Sequence, residues 1–185
     1  MNKTTIHADV ERILFDEEAI QKRVLELGSE ITKAYAGEEI LAVCVLKGAS
    51  VFFADLIRAI KSEVKLEFMI VSSYGFGTES SGKVEIKKDL DTDCREKNIL
   101  LIEDIIDTGI TMDCVKNILV ERGAKSVKVA SFLSKPSRRQ IEFTPDFLGF
   151  EIEDHFVVGY GLDYAEQHRN LGYIGILKPE VYSHS

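Results

Sequence analysis

The chain has 185 residues, a length that suits one domain able to bury roughly 70% of its unfolded surface. Hydrophobic residues make up 45% and charged residues 29%, which excludes a fibrous or disordered chain. The formal net charge of −8 argues against broad nucleic-acid binding, which depends on cations that neutralise phosphates.

The opening segment, Met1 to Asp9, has no apolar h-region, and no later stretch approaches a membrane span, so the chain reads as cytoplasmic. Asp16 is placed to N-cap a helix, with Phe15 and Ile20 flanking it as a hydrophobic staple. Ile20, Val24, Leu27, Ile31 and Tyr35 then recur at helical spacing, and Gly37 ends the run. Ile40 to Leu46 is unbroken apolar sequence, long enough for a buried strand and too short for a helix. Lys47-Gly48-Ala49-Ser50 follows, and Phe52, Leu56 and Ile60 mark the next helix. Taken alone, Lys47 and Gly48 suit an ordinary turn between strand and helix.

Leu66 to Val71 predicts a further strand, ending in Ser72-Ser73-Tyr74. From Gly75 to Gly82 there are three glycines, three Ser/Thr residues and almost no apolar anchor, so this tract is expected to be mobile. Gly75-Phe76-Gly77 is no dinucleotide fingerprint, because the third glycine and a following helix are missing. Val84 to Lys87 alternates like a returning strand.

Asn98 to Thr111 carries the most chemistry. Four apolar residues fit a central parallel strand covered on both faces. Glu103, Asp104 and Asp107 then place three carboxylates within five residues, where the strand is expected to run out. Thr108-Gly109-Ile110-Thr111 leads into a helix with Val115, Ile118 and Leu119 on one face, and Gly123 sits where it stops. Ligands of open α/β sheets bind at the carboxyl ends of strands, and helix N-termini attract anions. The run therefore predicts a ligand with a phosphate group and with hydroxyls or a metal. The plainer alternative is a pair of solvated loop acids, with Thr108 or Thr111 capping the helix.

Lys125 to Leu133 reads as another strand, leading into Ser134-Lys135-Pro136. Phe156 to Tyr164 is a mixed run in which Phe156 would normally be core and Asp163 a strand-end cap. Cys44, Cys94 and Cys114 are odd in number, far apart and without a C-x-x-C pair, so neither a zinc site nor a disulfide frame is indicated. There is no Walker A loop, His-Glu-x-x-His or Gly-x-Ser-x-Gly motif.

Glu103-Asp104-Ile105-Ile106-Asp107-Thr108-Gly109-Ile110-Thr111 resembles the phosphoribosyl-pyrophosphate signature of the type I phosphoribosyltransferases, and the form of their hypoxanthine-guanine branch in particular. Ile110 departs from it, standing where many members carry Lys or Arg. Leu46-Lys47-Gly48-Ala49 resembles the family's pyrophosphate loop, in which the residue matching Lys47 sits at an often cis peptide bond. The position after Ser73-Tyr74 matches its flexible catalytic loop. Phe156 to Tyr164 is similar to its base-binding hood. These motifs keep the family's order from about residue 40 to the end.

The resemblance implies a central, mostly parallel α/β sheet flanked by helices, with a small hood and a flexible loop. It implies one domain over 1–185, its hood formed mainly by about 135–185. The implied reaction transfers a 5-phosphoribosyl group from phosphoribosyl pyrophosphate to N9 of hypoxanthine or guanine. Lys47, Gly48, Ser73, Tyr74, Glu103, Asp104, Asp107, Thr108, Gly109, Thr111 and Arg169 are then the phosphoribosyl-pyrophosphate residues. Lys135, Phe156, Val157 and Asp163 form the purine side, with Lys135 on the 6-oxo group and Phe156 stacked on the ring. Glu103, Asp104 and Asp163 would bind magnesium, and Asp107 is the candidate general base. A symmetric dimer or tetramer is expected, with no nucleic-acid or membrane partner. Two alternatives stay open. One is a related transferase for xanthine or a pyrimidine; the other is a regulator of the same fold that binds RNA or DNA, disfavoured by the acidic charge.

Overall fold

A computed structural model describes residues 5–73 and 84–183. β1 (Val10–Phe15) leads into α1 (Glu17–Tyr35), where the Asp16 carboxylate accepts the Ala19 N–H at 2.9 Å and caps the helix. β2 (Ile40–Leu46), α2 (Ser50–Ala59), β3 (Val64–Ser73) and β4 (Val84–Lys88) follow. Next come β5 (Asn98–Ile106), α3 (Ile110–Glu121) and β6 (Ser126–Ser134). A 3-10 turn (Pro136–Arg138), β7 (Phe147–Glu151), β8 (Val157–Val158), β9 (Ile174–Leu177) and α4 (Pro179–Tyr182) complete the described chain.

Six strands form one sheet in the order β4-β3-β2-β5-β6-β7. All the pairs are parallel except β3–β4, which closes one edge antiparallel. The apolar runs are buried on both faces because they alternate between two cores. Ile40, Ala42, Cys44, Leu100 and Ile102 pack with α1 and α2, whereas Leu41, Val43, Val45, Ile99 and Leu101 pack with α3. Each fully buried Leu or Ile contributes about 1.5–3 kcal/mol, so the central strands anchor the fold.

β2 and β5 lie side by side, yet the chain leaves β2 towards β3 and leaves β5 towards β6. The sheet order reverses there, with α2 covering one face and α3 the other. That is a topological switch point, where open α/β sheets form their crevice.

Two features were not foreseen. β5 runs to Ile106, so Glu103 and Asp104 belong to the strand rather than to a loop; continued pairing with β6, from Glu103↔Ser131 to Ile106↔Ser134, extends it. A second sheet, β1-β9-β8, is antiparallel and joins the N-terminal segment to the C-terminal one. Among the described residues, no helix is long and apolar enough to cross a membrane.

Candidate active site

A cleft of about 510 Å³ opens at the carboxyl ends of β2 and β5. The turn after β2 forms one wall. Its Leu46–Lys47 peptide is cis, and the backbone at Gly48 is pressed from two sides. A Cβ on Gly48 would stand 1.6 Å from Asp104 Oδ2, and one on Gly161 (φ +101°) would stand 2.1 Å from the Gly48 carbonyl oxygen. Only glycine lets the three segments meet this closely.

Glu103 and Asp104 form the floor. Asp104 Oδ1 accepts the Ile105 N–H at 2.7 Å, and Glu103 Oε1 lies 3.3 Å from the Asp104 N–H. Each keeps part of its surface open to the cleft, yet the surrounding protein desolvates both. Desolvation pushes both carboxyl groups above the ordinary range, and the Asp104 charge adds to the rise at Glu103. A hydrogen bond from Glu103 and the positive charge of Arg169 offset part of the effect at Asp104. Two neighbouring carboxylates held against their desolvation cost make a strong demand for a cation.

Past the strand, Asp107 faces the cleft with Oδ1 buried and unbonded by any described residue, while Oδ2 lies 4.0 Å from Arg138 Nε. Arg139 clamps the loop from behind. Its guanidinium donates to the carbonyls of Ile106 (2.8 Å), Asp107 and Phe143 (3.0 Å) and to Ser134 Oγ (2.7 Å). Gly109 then takes the left-handed conformation (φ +86°) and opens α3 without a side-chain cap. Thr108 Oγ1 accepts the Ile110 N–H at 3.4 Å, so Thr108 takes one first-turn amide as the plainer reading allowed, while Gly109 brings no side-chain cap. The remaining first-turn amides are left to serve an anion.

The third wall is the turn from Gly161 to Arg169. Arg169 donates to the Gly161 carbonyl at 2.8 Å and pairs with Asp163 Oδ1 at 2.9 Å, while Asp163 Oδ2 accepts the Glu166 N–H at 2.8 Å. Glu166 also pairs with Lys47 Nζ at 3.0 Å, bridging this turn to the one after β2. Asp163 thus caps its own turn, as the plainer reading allowed, and lines the cleft as well.

Ten of the residues singled out from sequence therefore line one space: Lys47, Gly48, Glu103, Asp104, Asp107, Thr108, Gly109, Thr111, Asp163 and Arg169. Lys135, Phe156 and Val157 lie to one side. Lys135 is buried, not solvated, with its Nζ 3.5 Å from Asp154 Oδ1. Arg138 Nη1 reaches both Asp154 oxygens at 3.2 Å and holds that carboxyl below its usual range. A row of alternating charges, Asp107, Arg138, Asp154 and Lys135, spaced 4.0, 3.2 and 3.5 Å apart, thereby lies between the two groups. Phe156 is 38% exposed, which rules out core packing; its ring stacks on Tyr182 at 5.1 Å and meets Tyr164 edge-on at 5.6 Å. Val157 is buried in β8.

Tyr74, the Ser73 side chain and the Gly75–Gly82 tract fall outside the described residues. Sequence reading passed over Arg138, Arg139, Asp154 and Glu166. Adjacent arginines following Lys135-Pro136-Ser137 were the available signal for the first two. Nothing local marks Asp154 or Glu166.

The model of the phosphoribosyl transferase domain matches residues 12–165. A hypoxanthine-guanine phosphoribosyltransferase of Bacillus subtilis is 54% identical over 174 residues, covering 94% of this chain and 97% of its own. One from Streptococcus thermophilus is 46% identical over 178 residues, with 96% and 99% covered. Among solved structures, a hypoxanthine phosphoribosyltransferase of Staphylococcus aureus superposes with a TM-score of 0.93 at 46% identity, covering 99% of each chain.

Proposed function

The chain belongs to the phosphoribosyl transferase domain family, and from that premise we propose a purine salvage enzyme. It transfers the 5-phosphoribosyl group of phosphoribosyl pyrophosphate to N9 of hypoxanthine or guanine, giving IMP or GMP and pyrophosphate. One observation carries this reading: the acid pair, Asp107, the start of α3 and Arg169 face a single cleft at the switch point.

In this reading the Asp107–Thr111 loop cradles the 5′-phosphate with first-turn amides and the Thr108 and Thr111 hydroxyls. Glu103 and Asp104 orient the ribose hydroxyls. Lys47, the Gly48 backbone and Arg169 take the pyrophosphate, with Ser73 and Tyr74 expected beside them. A magnesium ion fits the donor set, because hard carboxylate oxygens with a desolvation cost to relieve suit it. Glu103, Asp104 and Asp163 would hold that ion, and it would neutralise charge on the departing pyrophosphate.

Catalysis here is mainly positioning. The ribose C1–N9 bond forms as the C1–oxygen bond to pyrophosphate breaks, and the purine gives up one proton near N7. Asp107 accepts it; its half-exposed side chain, lining the cleft, supports that role. Lys135 donates to the 6-oxo group, Phe156 stacks on the ring, and backbone groups at Val157 read its edge. We assign the whole chain to one domain, its hood mainly in 135–185, working in the cytoplasm as a symmetric dimer or tetramer without nucleic acid or membrane. Free thiols at Cys44, Cys94 and Cys114 support a reducing compartment.

The test is pyrophosphate release from phosphoribosyl pyrophosphate and magnesium with a panel of bases. Hypoxanthine and guanine are expected to be used, with adenine discriminated by about 10⁴-fold, because a donor-only Lys135 cannot satisfy its amino group. Equal use of adenine would overturn the assignment.

A further inference from the structure

On the far side of the Gly161–Arg169 turn, the N-terminal segment meets the chain just before β9. His7, Asp9 and His168 converge there, one ligand atom from each lying within 4.8 Å of the others. Asp9 Oδ2 is 3.7 Å from His7 Nδ1 and 3.4 Å from His168 Nε2. Ligands at about 2.1 Å from a tetrahedral zinc ion stand about 3.4 Å from one another, so the Asp9–His168 pair already stands at that spacing and the widest separation, within 4.8 Å, closes by up to about 1.4 Å on binding.

His168 supplies an independent observation. It is 8% exposed, and its Nε2 is buried without a hydrogen bond from any described residue, although it points at Asp9. An unbonded buried ring nitrogen costs stability unless something claims it. His7 Nδ1 accepts the Asp9 N–H at 3.2 Å, an exposed contact that a metal ion would displace, and a His168–Asp9 ion pair alone explains only one of the separations.

The arms are also fixed from behind. The His7 N–H donates to Tyr173 Oη at 2.8 Å, and the Asp9 carbonyl accepts the Lys178 N–H at 2.9 Å. The two imidazoles meet edge to face at 4.8 Å. A second cleft of about 510 Å³ opens beside them, between His7 and the 166–171 turn, and leaves a fourth coordination position accessible.

We propose that His7, Asp9 and His168 bind a divalent transition-metal ion, zinc foremost, at a site separate from the acid pair. Two imidazoles and a carboxylate favour zinc over magnesium, whereas the oxygen-only pair in the active-site cleft has the opposite preference. The ion ties the N-terminal segment to the turn that carries Glu166 and Arg169.

The test is zinc binding by tag-free protein, measured by equilibrium dialysis and elemental analysis in millimolar magnesium, which fills hard-oxygen sites. One zinc per chain at micromolar free metal is expected. His7→Ala and His168→Gln should each weaken it at least about 10-fold, while His155→Ala and Glu103→Gln leave it unchanged. His7 is exposed, so His7→Ala should melt as wild type does without zinc, separating lost binding from lost folding. No zinc retained by wild type, or equal affinity in His7→Ala, would overturn the site.

Discussion

The proposed phosphate end and the proposed base end of this site are built differently, and their construction explains how each can fail. At the phosphate end, residues 103–111 run straight off a central strand into a helix, so covalent sequence sets their spacing and two packed cores set their height. At the base end, Lys135, Asp154, Phe156, Val157 and Tyr182 come from separate segments and meet only through tertiary contacts. A change at the phosphate end should therefore strike chemistry or charge directly. A change at the base end should strike fit.

The largest expected effect probes how dry the phosphate end is beneath its floor. Burial, with further contributions from Glu103 and Asp104, pushes the Cys44 thiol up to about 12. A raised thiol pKa means less thiolate at any given pH, and the thiol is fully buried, so at pH 8 alkylation should be at least about 10³-fold slower in the native than in the unfolded chain. Peptide mapping after timed iodoacetamide treatment checks this, and rapid labelling would mean that water reaches β2.

Asp107→Asn comes next. It keeps the shape of the loop but removes the proton acceptor, so single-turnover rates should fall about 10²-fold or more with phosphoribosyl pyrophosphate binding retained. Phe156→Leu should instead raise KM for the base by about 10-fold, the scale of one lost stacking partner, and leave that for phosphoribosyl pyrophosphate unmoved. If both constants moved together, the two ends would not be separable.

The smallest effect has the opposite sign. Glu103→Gln removes one of two desolvated, mutually repelling carboxyls. The free enzyme should gain of order 1 kcal/mol, seen as a melting temperature about 2–4 °C higher, while substrate use falls. A lower melting temperature would mean that the pair is structurally satisfied and not held against its own repulsion.

The same contrast explains what could be read from sequence. Unbroken apolar runs at Ile40–Leu46 and Asn98–Ile102, followed by polar turns and helical spacing, were enough to foresee the parallel sheet and a cleft at the strand ends. That information is local and periodic. β1 left no such mark, because its strand is fixed by pairing with β9, about 160 residues away. Arg139 carries no periodic signal either, since its partners are backbone carbonyls. The face of Phe156 depends on Tyr182, 26 residues further on, and no spacing rule reaches that far. His7, Asp9 and His168 are separated in the same way, and the zinc question could be put to the sequence only through its cysteines.

The central claim is that the base end selects its substrate through Lys135 while the phosphate end works independently of that choice. The most direct measurement is the ratio of kcat/KM for hypoxanthine to that for adenine, in wild type and in Lys135→Ala, with KM for phosphoribosyl pyrophosphate measured alongside. Removing the buried donor should collapse the ratio by about 10²-fold or more, because a mismatched buried polar contact accounts for the discrimination. KM for phosphoribosyl pyrophosphate should hold within about 3-fold, less than 1 kcal/mol. An unchanged ratio in Lys135→Ala would contradict the account.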